Sequence, residues 1–153
     1  LNHRYRSNYV AARGPNPPDA VIKTGRKTSW IEVTTAYLNQ DFAKDVNSYA
    51  TEGEEHYDTS GRLLVDMDRQ FAENLCSVVQ DKLEKSTYET ARHQFGPGYL
   101  AVSIQNPFFG SNDFPILQKA WSKREVEDRG CFRSIYLIYR IFQGYEVSRW
   151  RHK

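Results

Sequence analysis

Cysteine is scarce in this 153-residue chain, and long apolar runs are absent. Cys76 and Cys131 are its only cysteines, far apart in sequence, and no short-spaced Cys/His cluster surrounds either. That spacing argues against a zinc site and points to two buried free thiols in a cytoplasmic protein. No apolar stretch approaches the ~18–20 residues that cross a bilayer, so no membrane partner is expected. Residues 1–16 have no hydrophobic core segment, which argues against a signal peptide. The chain opens on Leu1 rather than Met, and a trimmed N-terminus is the expectation. There is no G-x-S-x-G elbow, Walker-type loop or dinucleotide fingerprint. His3, His56, His93 and His152 are scattered and pair with no nucleophile motif. Internal repeats and low-complexity tracts are also missing.

What remains is the pattern of a soluble globular chain with a modest apolar share and ordinary charge. Its length suits one domain spanning residues 1–153. The net charge of +2 is unevenly spread. Residues 1–18 carry Arg4, Arg6 and Arg13 and no acid, while residues 133–153 carry five basic residues against Glu146. The middle is therefore acidic. If the two ends meet, they form a basic surface able to neutralise phosphates.

The most informative stretch is PPDAVIKTGRKTSWIEVTT, residues 17–35. Before it, the prolines at 15, 17 and 18 forbid helix, and residues 1–18 read as irregular or loosely extended. Residues 19–25 and 29–36 are rich in β-branched residues and read as a hairpin turning at Arg26-Lys27. In that register Asp19 pairs with Thr34 and Val21 with Glu32. Strand alternation then gives Asp19, Val21 and Lys23 one face with Glu32 and Thr34. Cross-strand neighbours lie ~4.5–8 Å apart, close enough for two carboxylates to share one cation. The alternative for Glu32 is a solvent-facing acid on an amphipathic strand; for Asp19 it is a turn or cap residue.

Downstream, residues 37–62 read as a short helix followed by an acidic loop. Residues 66–90 form the clearest helix, with Phe71, Leu75, Val78, Val79 and Leu83 at the 3.6-residue period. Lys82 falls at the edge of that stripe, where a lysine either snorkels or reaches a buried anion. A strand at 99–105, a helix at 114–127, a strand at 131–142 and a returning strand at 144–150 follow. A strand–helix–strand order implies a mixed sheet with helices packed on it.

Pro18-Asp19, twelve residues, then Glu32-Val33-Thr34 on such a hairpin resembles the PD-(D/E)XK, or restriction-endonuclease-like, nuclease superfamily. The resemblance covers roughly residues 17–105. It implies an α/β fold with a mixed β-sheet flanked by helices around an α-β-β-β-α-β core. The first core helix is not evident in this chain. The resemblance also implies Mg²⁺ or Mn²⁺ held by Asp19, Glu32 and the main-chain carbonyl of Val33. The expected activity is hydrolysis of phosphodiester bonds in nucleic acid, with DNA as the expected substrate. Mg²⁺ is satisfied by one or two carboxylates plus water and phosphate oxygens.

The family's motif ends in lysine, and here that position is Thr34, which cannot supply positive charge. Three readings stay open. A lysine from elsewhere takes the role, with Lys82 first and Lys23 second; or threonine suffices; or the site is degenerate and the fold only binds. The degenerate case would be a nucleic-acid or protein-binding module, such as a defence-system subunit. Arg4, Arg6, Lys23, Arg149 and Arg151 are the candidate nucleic-acid contacts, and Arg149-Trp150-Arg151 interleaves charge with a ring. A homodimer or a protein partner is compatible with this reading.

Overall fold

The computed structural model describes residues 10–38 and 66–152. Strands β1 (Val10–Arg13), β2 (Ala20–Thr24) and β3 (Lys27–Tyr37) are followed by helix α1 (Met67–Glu84), a 3₁₀ turn (Ser86–Tyr88) and the short helix α2 (Glu89–Phe95). Strand β4 (Gly98–Gln105), helix α3 (Phe114–Trp121), strand β5 (Phe132–Ile141) and strand β6 (Gly144–His152) complete the order. All six strands form one sheet in the order β1-β2-β3-β4-β5-β6. The pairs β1–β2, β2–β3 and β5–β6 are antiparallel, while β3–β4 and β4–β5 are parallel. The expected mixed α/β sheet is therefore present. The expected short helix and acidic loop of residues 37–62 fall mainly outside the described residues.

The parallel strands require crossovers, and α1 and α3 supply them. Residues Phe71, Leu75, Cys76, Val79 and Leu83 of α1 are buried with Leu100, Val102 and Ile104 of β4 and Leu137 and Tyr139 of β5. Helix α1 packs on β3 and on α3, and α2 packs on β3 and β4. Both cysteines are free and buried. Burial pushes the Cys76 thiol up to about 11 and raises that of Cys131, so both stay protonated and act as small apolar groups.

Four expectations are corrected. Residues Val10–Arg13 are not irregular but pair with β2 as an edge strand. The hairpin turns at Gly25-Arg26, not Arg26-Lys27, since Thr24 pairs with Lys27. Gly25 has φ +56° and Arg26 does not have positive φ, which suits a two-residue turn with glycine first. The long helix stops at Glu84, because Lys85 takes an extended ψ of 126°. Helix α3 ends at Trp121 rather than 127. There the chain turns so that the Arg124 guanidinium can reach the Glu73 carboxylate at 3.1 Å and its carbonyl at 2.8 Å.

The basic ends do not come together in the described chain. Strand β1 lies at one edge of the sheet and β6 at the other. With neighbouring strands ~4.8 Å apart, five spacings separate them by roughly 24 Å. Arg4 and Arg6 lie outside the described residues.

Candidate functional site

The turn at Gly25-Arg26 moves the hairpin register by two residues, so Val21 faces Trp30 rather than Glu32. A shift of two preserves faces, whereas a shift of one would have exchanged them. Carried one residue beyond the Ala20–Ile31 pair, the register sets Asp19 opposite Glu32, not Thr34.

The face carrying Glu32 is the covered one. Trp30, Glu32 and Ala36 are buried, while Val33 on the opposite face is 48% exposed. Glu32 is thus not the polar side of an amphipathic strand but an acid 6% exposed beneath α1. Such a group needs a counter-charge or donors. Lys82, from the last turn of α1, provides one: its Nζ lies 2.8 Å from Glu32 Oε1. The Tyr88 hydroxyl donates to the same oxygen at 2.8 Å and accepts from Lys82 Nζ at 3.0 Å. Three groups from three elements close into a triangle.

Tyr88 is held by packing. It stacks on Trp30 at a ring-centroid distance of 6.0 Å and meets Phe132 edge-on at 5.1 Å. Trp30 is anchored by its Nε1 donating to the Gly96 carbonyl at 2.8 Å. Gly98 lies against the Trp30 ring, where a Cβ would come within 2.3 Å, so only glycine fits. The break at Lys85 is what swings Tyr88 back over this ring system.

The electrostatics follow from the geometry. Burial pulls the Lys82 ammonium toward lower pKa, but its hydrogen bonds to Glu32 and Tyr88 outweigh that and leave it raised above 10.5. Tyr88 is also raised, chiefly by burial. Lysine and tyrosine are therefore both protonated at neutral pH. Glu32 Oε2 is buried with no hydrogen-bond partner, the only carboxylate oxygen in that state among the described residues. An unmet buried acceptor on an acid is costly.

Asp19 is exposed and takes a different posture. Its Oδ2 accepts from the Val33 N–H at 2.8 Å, so it caps the strand residue next to Glu32. A carboxylate has about four acceptor sites, so one bond leaves room for a cation. Thr34 shares the Glu32 face and is half-buried. Lys23 is exposed, flanked by Val10 and Thr28 in the neighbouring strands. Arg149 is exposed at the far edge, and Arg151 lies over the Trp121 ring at 4.6 Å. These three basic residues do not join the Glu32 cluster.

Among the described residues no group of three or more His, Cys, Asp or Glu is placed to hold a metal. A fully protein-enclosed ion does not fit this donor set. Asp19 is exposed with one acceptor engaged, and Glu32 Oε2 is buried without a partner.

Tyr88 was not anticipated from the sequence. Its only signal is position, six residues after Lys82, and that is uninformative unless the helix is known to break between them. Comparison of the chain with protein-family models, with curated proteins and with solved structures found no match.

Proposed function

We propose that this chain is a nuclease-like domain of the restriction-endonuclease class that hydrolyses phosphodiester bonds of DNA with Mg²⁺ or Mn²⁺. The observation that carries the reading is the Lys82 ammonium 2.8 Å from the buried Glu32. It supplies, from the helix behind the sheet, the positive charge that Thr34 lacks. The order β1-β2-β3-α1-β4 adds support, since it parallels the three strands, helix and strand of that class.

In this reading Glu32, Asp19 and the Val33 carbonyl would hold the cation. The bound ion would stabilise charge on the phosphate and acidify a water. Lys82 offsets charge on the phosphate, and Tyr88 orients it. The Thr34 hydroxyl is available to hydrogen-bond water or a phosphate oxygen.

The test is Mg²⁺-dependent cleavage of plasmid DNA by the wild type and by an Asp19→Ala, Glu32→Ala variant of verified fold. Cleavage lost in the variant supports the reading; cleavage that persists undiminished removes the site assignment. A second reading has its own observation. Glu32 Oε1 is occupied by Lys82 and Tyr88, and Asp19 is tied to a main-chain N–H. A site with both acids so engaged suits a binding module without hydrolysis. DNA affinity that falls steeply with salt while no cleavage occurs in Mg²⁺ or Mn²⁺ would favour that module.

A further inference from the structure

We infer that the sheet face turned away from the helices binds single-stranded nucleic acid, with arginines on its phosphates and tyrosines against its bases. This does not rest on the nuclease reading, which concerns the opposite, helix-covered face.

Strand alternation separates the two faces by charge. Trp30, Ala36, Leu100, Val102, Leu137 and Tyr139 point toward the helices and share one core with them. The alternate positions make the other face, and the register sets them in rows. Ile31 lies beside Tyr99, Ala101 beside Tyr136, Tyr136 beside Arg149, and Arg140 beside Tyr145. Arg13 joins the first row through Ala20. Among the described residues, Glu32 and Glu146 are the only acids in the strands, and neither is on this face. Glu32 is buried beneath α1. Glu146 is on the helix side with Ser148, whose hydroxyl reaches it and lies 3.2 Å from the hydroxyl of the buried Tyr139. Arg13, Arg133, Arg140 and Arg149 are all exposed. None of them takes part in an ion pair among the described residues.

A face with four arginines and no strand carboxylate is complementary to a polyanion. The rings narrow the choice. Tyr99 and Tyr136 have centroids 6.0 Å apart and planes tilted by 55°. The Arg133 guanidinium stands over the Tyr99 ring at 5.5 Å, and Tyr145 is 73% exposed. Tyrosine rings and guanidinium planes on an open surface take unstacked bases, which a single strand offers. A duplex keeps its bases inside, and a six-stranded sheet roughly 24 Å across is too wide to enter a major groove about 12 Å wide. The spacing of the charges also fits. Arg13 is three strands from Tyr99, roughly 14 Å, and Arg140 is four residues along β5 from the Tyr136–Arg149 pair, roughly 13 Å. A path from Arg13 across Arg133 and Arg149 to Arg140 therefore accommodates several nucleotides, at the lower end of the ~4–16 that single-strand grooves hold.

The experiment is fluorescence anisotropy of a labelled oligothymidylate of about 12 nucleotides, within the size range of single-strand sites. A duplex of the same length and phosphatidylserine vesicles are the competing probes. EDTA is present throughout, so neither cleavage nor any divalent cation contributes, and the result is separate from the cleavage test. The single strand should bind at least about tenfold more tightly than the duplex, the effect of one stacked base. Arg140→Gln, Arg149→Gln removes two phosphate contacts and should flatten the dependence of log affinity on log salt by about 1.4. Tyr99→Leu should weaken binding about tenfold and leave that slope unchanged. Lys119→Gln, Lys123→Gln removes two exposed charges on the helix side and should change neither quantity. Each variant is checked for fold by circular dichroism; if Tyr99→Leu does not fold, the exposed Tyr145→Ala takes its place. Duplex bound as tightly as single strand, a slope unchanged by the arginine pair, a slope flattened equally by the lysine pair, or affinity undiminished in the tyrosine variant overturns the inference. Binding to vesicles without binding to the oligonucleotide assigns the face to an anionic membrane and overturns it too, as does binding to none of the probes.

Discussion

Removing Lys82 should destabilise the fold more than removing Lys82 and the Glu32 charge together. The reasoning begins with burial: the Glu32 side chain is 8% exposed and that of Lys82 is 19%. Breaking a buried pair from one side leaves an uncompensated charge and typically costs ~3–5 kcal/mol. Because Lys82 keeps some solvent access, the lower end applies, about 3 kcal/mol for Lys82→Met. For a chain of this length each kcal/mol moves Tm by roughly 2–4 °C, so the expected fall is roughly 6–12 °C. In the double variant Glu32→Gln, Lys82→Met both charges are gone, and the amide oxygen of the introduced glutamine can still accept from Tyr88. The double variant should lie nearer to wild type than Lys82→Met does. The assay is urea denaturation at pH 7 in EDTA, so that no cation substitutes for the lysine. A coupling energy of about 1.5 kcal/mol or more is expected from such a direct contact. Costs that simply add, to within ~0.5 kcal/mol, would refute the reasoning and reduce the triangle to incidental proximity.

Two further outcomes follow from the same region. Lys82 and Tyr88 both have raised pKa values, so the folded chain binds more protons than the unfolded one at alkaline pH. Their contribution is fully present at neutral pH and is lost as pH climbs past 10.0 for Tyr88 and past 10.5 for Lys82 toward the folded values. Denaturation midpoints measured from pH 7 to 11 should fall more steeply at the top for wild type than for Tyr88→Phe, Lys82→Met; parallel curves would contradict the assignment. Gly98→Ala would push a methyl within 2.3 Å of the Trp30 ring. It should cost about 1–3 kcal/mol by overpacking and weaken the Trp30–Tyr88 stack, read as a lower urea midpoint and altered tryptophan fluorescence. An unchanged midpoint would mean the ring moves freely and does not position Tyr88.

Much of the architecture was legible because it is local. The period-2 stretch around Glu32, the 3.6-residue stripe of α1 and the apolar runs of β4 and β5 each record burial in their own spacing. The register error came from the turn: a β-strand pattern repeats every two residues, so it fixes the face but not the loop. Gly25 at positive φ was the deciding chemistry, and it moved Asp19 opposite Glu32 without changing faces. Strand β1 was missed because four residues, VAAR, carry almost no alternation. The helix break at Lys85 has no proline or glycine to announce it.

For the candidate site, the division is sharper. The chain alone determined that Glu32 and Thr34 share a face, that Lys82 sits at the rim of an apolar stripe, and that no lysine follows Glu32 at the motif position. Those are consequences of backbone periodicity and residue identity. Only the tertiary structure decided which face of β3 is covered, and hence that Glu32 is buried and Val33 is not. Only it brought Lys82 and Tyr88 to one carboxylate oxygen, and it placed the described basic ends at opposite sheet edges. The physical reason is that spacing along a chain sets direction, whereas desolvation and pairing depend on which other element arrives above that direction.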